Sequence, residues 1–120
     1  MKIQTFLEHF YLHDSGIDNC QYFPIEQQLI LTLELPEPEN IIGYLYFFGV
    51  KNLISDPNIN QIQWGEQCNG VILNIAVSPS PHSLNEQIEI LLEVVDYPKK
   101  IKTVFVLNFQ AFDIQWIPLK

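Results

Sequence analysis

Residues 29–35 place leucine at every second position (Leu29, Leu31, Leu33 and Leu35), with Ile30, Thr32 and Glu34 between them. Successive side chains of a strand point to opposite faces, so a period of two cannot sit on one side of a helix. The four leucines therefore predict a strand with one buried face. That constraint organises the rest of the chain, because a half-buried strand requires partners on both edges and a second layer over its apolar side.

Those partners are legible on either side. Ile17 to Phe23 reads as a short strand closed by Pro24, and Glu26-Gln27-Gln28 leads into the leucine strand, which predicts a hairpin. Pro36 to Asn40 is a breaker, since proline has no N–H for a ladder. Ile41 to Val50 is apolar on both parities, with Tyr44, Tyr46 and Phe48 against Leu45 and Phe47. Such a strand is expected to be covered on both faces, at the centre of the core. Asn52 to Asn58 reads as a loop. Ile59 to Cys68 carries Ile62 and Trp64 among glutamines, and Asn69-Gly70 then predicts a tight hairpin turn completed by Val71, Leu73, Ile75 and Val77. Ser78 to His82 is an extended connector. Ile101 to Ile117 reads as two strands broken near Gln110-Ala111.

Two segments carry helical spacing. Ile3, Phe6, Leu7, Phe10 and Tyr11 predict an amphipathic helix of about three turns, ending at His13-Asp14-Ser15-Gly16, with Gly16 in a left-handed position. Residues 84–95 are ambiguous. Ser83-Leu84-Asn85-Glu86 matches a capping box before Ile88, Leu91, Leu92 and Val95, yet Ile88, Ile90, Leu92 and Val94 alternate with Gln87, Glu89 and Glu93. The β-branched residues and surrounding strands favour the strand. The expected fold is mainly β (α+β): a single domain over residues 1–120, in which an N-terminal helix packs on an antiparallel sheet that forms a sandwich or half-open barrel. At 120 residues the chain can bury a core without disulfide staples.

Composition then narrows function. Six lysines, no arginine and fourteen acidic residues give a net charge of −8. Nucleic acids and anionic lipid are bound through clustered cations, so neither is an expected partner. An acidic surface suits a basic protein partner, or serves solubility alone. No apolar stretch reaches the roughly 18 residues of a membrane helix, and Glu8 and His9 interrupt any leader-like run, which makes a cytoplasmic protein the expectation.

Few residues suggest chemistry. His13-Asp14-Ser15 holds the residue types of a hydrolytic triad, but triad members converge from separate parts of a fold, and no Gly-x-Ser-x-Gly elbow is present. A helix-ending turn explains them, with Asp14 and Ser15 bonding local backbone. His9 and His13 stand four apart on the predicted helix, without the glutamate of a zinc-protease motif. Glu34, Glu37 and Glu39 flank a proline turn and lack the pattern of a calcium loop. Cys20 and Cys68 are too few for a disulfide framework and read as small apolar residues. No catalytic, cofactor-binding or metal-binding residue is assigned. Tyr44, Tyr46, Phe47 and Phe48, with Trp64 and Trp116, are read as core, or as the lining of an apolar ligand cavity.

The helix ending in His13-Asp14-Ser15, then Ile17, the strand Leu29-Ile30-Leu31-Thr32-Leu33, and the apolar strand closing in Phe48-Gly49-Val50 resemble small bacterial domains of unknown function. Some of those are similar to immunity proteins of polymorphic toxin systems, and the similarity covers about the first 50 residues. The resemblance implies a small, acidic, non-enzymatic protein that neutralises a toxin by binding it, and it carries over no binding residue. The expected function is thus a non-catalytic protein-binding module, in its most concrete form an immunity-type inhibitor of a basic partner. The alternatives are a β-barrel or sandwich holding a small apolar ligand and, third, a hydrolytic enzyme.

Overall fold

The computed structural model describes residues 2–36, 40–65, 68–79 and 84–119. Among them are one α-helix, α1 (Ile3–His9), and eight strands: β1 (Gly16–Phe23), β2 (Gln28–Glu34), β3 (Ile42–Phe48), β4 (Lys51–Asp56), β5 (Cys68–Pro79), β6 (Glu86–Asp96), β7 (Ile101–Ala111) and β8 (Asp113–Pro118). All pairings are antiparallel, in one sheet of order β4-β7-β6-β5-β1-β2-β3-β8. A mainly β fold with a short N-terminal helix is what the alternating leucines and the flanking apolar runs require.

The leucine strand behaves as its pattern dictates. Leu29, Leu31 and Leu33 are fully buried, Leu35 is nearly so, and Ile30, Thr32 and Glu34 face the other way. β1 and β2 form the expected hairpin, in register from Phe23 opposite Gln28. The ambiguous segment resolves as β6, with Ile88, Ile90, Leu92 and Val94 on the buried face. Residues 101–118 form two strands, parted at Phe112.

Phe47 on β3 and Phe109 on β7 meet edge to face with ring centroids 5.1 Å apart. Five ladder steps separate their strands, which in a flat sheet would be about 24 Å. The sheet is therefore curled about its apolar face, and the two rings join its ends. Inside the curl lie Ile17, Leu45, Ile72, Ile90 and Leu107, all fully buried. Helix α1 packs against β5 and β8 and inserts Ile3 into this core.

Five sequence expectations change. The helix has seven residues rather than three turns: Phe10 is already extended, and Leu12 dives into the core. Asp14, at φ 67°, takes the left-handed position expected of Gly16, which instead opens β1. The predicted loop at 52–58 contains the edge strand β4, whose polar residues are tolerated because it pairs only with β7. β3 is not central. It lies one strand from the edge, and only Gly43, Leu45 and Phe47 face the core. Asn69-Gly70 makes no turn, because β5 runs straight through it, with Gly70 opposite Val94 on one side and Ile17 on the other. A Cβ at Gly70 would stand 2.8 Å from the Glu93 carbonyl oxygen, so this glycine permits close strand approach rather than chain reversal.

Glu37, Glu39, His82 and Ser83 lie outside the described residues, so the calcium-loop and capping-box readings that used them have no structural counterpart here. Glu86, the last residue of that box, does cap a helix, but a distant one. Its buried carboxylate accepts the N–H groups of Ile3 (2.7 Å) and Gln4 (3.0 Å) at the start of α1, where Lys2 offers no side-chain cap. The arrangement ties the helix to the first residue of β6.

Candidate functional site

The outward face of β2, β3 and β8 carries the residues that the core does not use. Cross-strand pairing arranges them in rows: Glu34 with Ile42; Thr32, Tyr44 and Ile117; Ile30, Tyr46 and Gln115; Gln28, Phe48 and Asp113. Tyr44, Tyr46 and Phe48 run down the middle, with centroids 6.3 Å and then 5.8 Å apart, the second pair nearly parallel. None of the three packs against the hydrophobic core, and each stays half-buried through contact with its neighbours on the same face. Ile42 and Ile117 flank them and are exposed. The sequence expectation of packed core holds for Phe47 and, as half-buried rings packed against the core, for Trp64 and Trp116; Tyr44, Tyr46 and Phe48 lie on the outward face instead. The three half-buried rings and the exposed Ile42 and Ile117 form one apolar surface on this face.

Charge is arranged around the row. β1, β2, β3 and β8 contain Asp18, Glu34 and Asp113 and no lysine, while Lys51 and Lys102 sit on β4 and β7, with Lys99 and Lys100 in the turn between β6 and β7. One carboxylate therefore stands at each end of the aromatic row, with no cation on the four strands that carry it.

The sheet edges are less available than this face. Leu119 N–H donates to the Ile42 carbonyl (2.7 Å), which makes the odd residues of β8 the hydrogen-bonded partners of β3 and turns the backbone of Ile114, Trp116 and Pro118 outward. Ile114 N–H donates to Asp113 Oδ1 (2.9 Å), Pro118 has no N–H, and the Trp116 ring lies under Phe10 of the chain following α1 (centroids 5.4 Å). The other edge, β4, is interrupted by a register shift between Lys51 and Ile54, with Asn52 at φ 57°. Bulges, proline and side-chain caps of this kind disfavour strand addition at either edge.

A second feature is a cleft of about 680 Å³ on the inner side, where β5, β6 and β7 extend past the core and the segment after β4 covers them. Val94 and Phe105 form its floor, Ile62 a wall, and Asp96, Lys99 and Cys68 its rim. Partial burial, and then the Asp96 carboxylate, push the Cys68 thiol up. Cys20 points to the inner face of β1, where burial raises its thiol to about 12. Both cysteines are free thiols.

The candidate chemical residues are not brought together. His13 Nδ1 lies 3.1 Å from Asp14 Oδ2, both exposed, whereas Ser15 is fully buried and its Oγ has no hydrogen-bond partner among the described residues. The backbone carries this turn: Asp14 N–H donates to the Ile72 carbonyl (2.9 Å) and Ile72 N–H to the Ser15 carbonyl (2.9 Å). A Ser–His–Asp relay needs the hydroxyl on the imidazole, a contact this geometry lacks. His9 ends α1 with Nδ1 3.1 Å from the Thr5 carbonyl, and His13 lies beyond the helix, so the two do not share a helical face. Among the described residues no three His, Cys, Asp or Glu side chains are grouped to hold a metal ion, and no helix is long and apolar enough to cross a membrane.

Comparison with protein-family models, curated proteins and solved structures finds no match to this chain. Sequence reasoning missed the aromatic face because Ile42–Phe48 is apolar on both parities, and periodicity alone cannot say which apolar face is left uncovered.

Proposed function

We propose that this protein is a non-catalytic binding module whose outward β2–β3–β8 face docks a basic protein, in the manner of an immunity-type inhibitor. The observation that carries the reading is the row Tyr44, Tyr46 and Phe48 on β3, which lies off the core and whose neighbouring strands β1, β2 and β8 hold carboxylates and no lysine. Aromatic side chains supply large contact area at low entropic cost, and a cation-free acidic rim steers a basic surface toward them. In this reading the curled sheet is a half-open barrel that serves as a rigid support.

The test starts from a protein that co-purifies with the wild-type chain and is lost with the Tyr46→Ala/Glu34→Gln double variant. Its association rate is then measured at low and at physiological salt. Screening acts over about 8 Å at physiological ionic strength, so a basic partner's on-rate falls steeply while dissociation changes much less. A flat on-rate overturns the basic-partner reading.

The inner cleft supports a second reading, a small-ligand site. Its volume of about 680 Å³ lies within the roughly 300–1,000 Å³ of small-molecule pockets. Half-apolar walls and a charged rim suit an amphiphile better than a wholly apolar ligand. Salt-insensitive binding of an amphiphile that is lost in Phe105→Ala would favour it.

A further inference from the structure

We infer that the uncovered side of β5 takes up an extended segment of another chain, paired antiparallel, with apolar side chains at two alternate positions. This goes beyond the docking face, with which it shares no residue. β5 pairs with β6 along its whole length, from Cys68 opposite Asp96 to Pro79 opposite Glu86, whereas β1 covers only Gly70 and Val71. Upstream of Gly16 the chain that would have continued β1 turns away at the left-handed Asp14, and Leu12 enters the core. The last bonds on that side are at Ile72, whose N–H donates to the Ser15 carbonyl while its own carbonyl accepts Asp14 N–H. From Asn74 onward, among the described residues, β5 has a strand neighbour on one side alone.

Alternation fixes which backbone groups this leaves over. Ile72 bonds toward β1, so Val71 and Glu93 form the hydrogen-bonded pair toward β6, and the odd residues of β6 keep that role. The register shift after Ile72 sets Asn74, Ala76 and Ser78 opposite Leu91, Glu89 and Gln87. The N–H and C=O groups of Ile75 and Val77 therefore point away from β6, and no described loop residue bonds to them. Pairing is regular from Asn74 to Ser78, unlike β4 with its shift between Lys51 and Ile54, and these amides lack the caps found on β8. A groove of about 150 Å³ opens beside them, with Leu7, Phe10, Tyr11 and His13 across from Asn74 and Ile75. In-plane donors and acceptors repeating at every second residue are met by an extended backbone, whereas a helix has already paired its own. Occupant residues opposite Ile75 and Val77 place their side chains on the inward parity, where those two pack against the core, and so are apolar. Self-pairing of two copies would join two chains of charge −8, which opposes it.

The test uses the isotope-labelled full chain and a blocked pentapeptide with isoleucine at position two, valine at position four and threonine elsewhere. In the free protein the amides of Ile75 and Val77 should exchange with solvent faster than those of Asn74 and Ala76, which bond to β6. The peptide should slow exchange at Ile75 and Val77 and shift the amides of β5 and of residues 7–13. N-methylation at peptide positions two and four, whose N–H groups would meet the Val77 and Ile75 carbonyls, should weaken binding at least about tenfold through two lost hydrogen bonds. N-methylation at positions three and five, whose N–H groups would face solvent, should weaken it less than about twofold. Tyr46→Ala should bind the peptide as the wild type does. Equal losses from the two methylation patterns overturn strand pairing, and so does a peptide that leaves exchange at Ile75 and Val77 unchanged. Protection of those two amides in the free chain shows that the edge is already filled, by the chain itself if it is independent of concentration and by a second copy if it grows with concentration; either overturns the inference. All of these outcomes leave the outward docking face standing.

Discussion

The two halves of the sheet are built for different purposes. β5, β6 and β7 are 12, 11 and 11 residues long, and β6 and β7 pair through eleven consecutive residues without a register shift. β2, β3 and β8 have only 7, 7 and 6 residues. On the long half the outward residues of β6 and β7 mix Gln87, Glu89, Glu93, Lys102, Asn108 and Gln110 with the aliphatic Leu91, Val95, Val104 and Val106, and carry no aromatic ring. On the short half Tyr44, Tyr46 and Phe48 stand among Ile30, Ile42 and Ile117, with Gln28, Thr32 and Gln115 beside them and an acid at either end. Length and continuous pairing make the first half the frame; the second carries an aromatic row that does not pack against the core, on which the proposed contact surface rests. Strand alternation allows both in one sheet, since the inner parity can be wholly committed to packing while the outer parity varies freely.

The strongest test of the frame is made where the halves meet. Phe47 and Phe109 are both fully buried and touch across the curl. Phe47→Ala should cost about 3–5 kcal/mol in urea unfolding, because it removes transfer free energy and leaves a cavity that two separate strand systems must close. Phe109→Ala should cost a similar amount, and the double variant less than the sum, since the residues share one contact. Additive losses would mean that the halves pack independently.

Gly70 tests the long half. Gly70→Ala should destabilise by about 1–3 kcal/mol through forced separation of β5 from β6, as its Cβ would press on the Glu93 carbonyl. The loss should appear as faster amide exchange on β5 and β6. A change confined to residues 65–70 would instead restore a turn at Asn69-Gly70.

What could be read from the chain follows from these differences. Leu29 to Leu35 was legible because one parity is apolar and the other mixed, so periodicity alone assigns both strand and face. Residues 86–96 resolved the same way. Asn69-Gly70 misled because the dipeptide is favoured both by tight turns and by close strand approach, and only the partners of β5 distinguish them. β4 escaped notice because an edge strand paired on one side tolerates asparagine, serine and aspartate. The aromatic face escaped because apolar residues on both parities look like two-sided burial. The Glu86 cap on α1 joins residues 82 and 83 positions apart, and no local pattern announces it.

A smaller effect is expected at Cys20, inside the curl on β1. Its thiol is raised from near 9 to about 12 in the folded chain by burial, whereas in the unfolded chain it ionises near its ordinary value. Between those values the unfolded state has lost the proton and the native state keeps it, so stability falls as pH rises. The contribution is complete below about pH 9 and is lost progressively toward pH 12. Cys20→Ala should therefore lose less stability than wild type between about pH 8 and about pH 10, whatever its offset at neutral pH. Parallel pH profiles for the two proteins would place the thiol in contact with water.

The smallest effect on folding should come from the side chain proposed to matter most for binding. Tyr46 is a large aromatic residue adjacent in sequence to Phe47, yet its ring makes no contact with the core and lies against Tyr44 and Phe48 on the outward face. Cross-strand and same-face pairs of this kind contribute about 0.2–1 kcal/mol each, against several for a buried ring. Tyr46→Ala should thus cost about 1 kcal/mol or less in urea unfolding, with an unchanged slope against denaturant, while Phe47→Ala next to it costs several times more. A small loss at Tyr46 would mean that folding does not account for this ring, as the proposed docking face requires. If Tyr46→Ala destabilises as much as Phe47→Ala, the ring is structural, β3 is buried on both faces after all, and the division between frame and contact surface fails at its central residue.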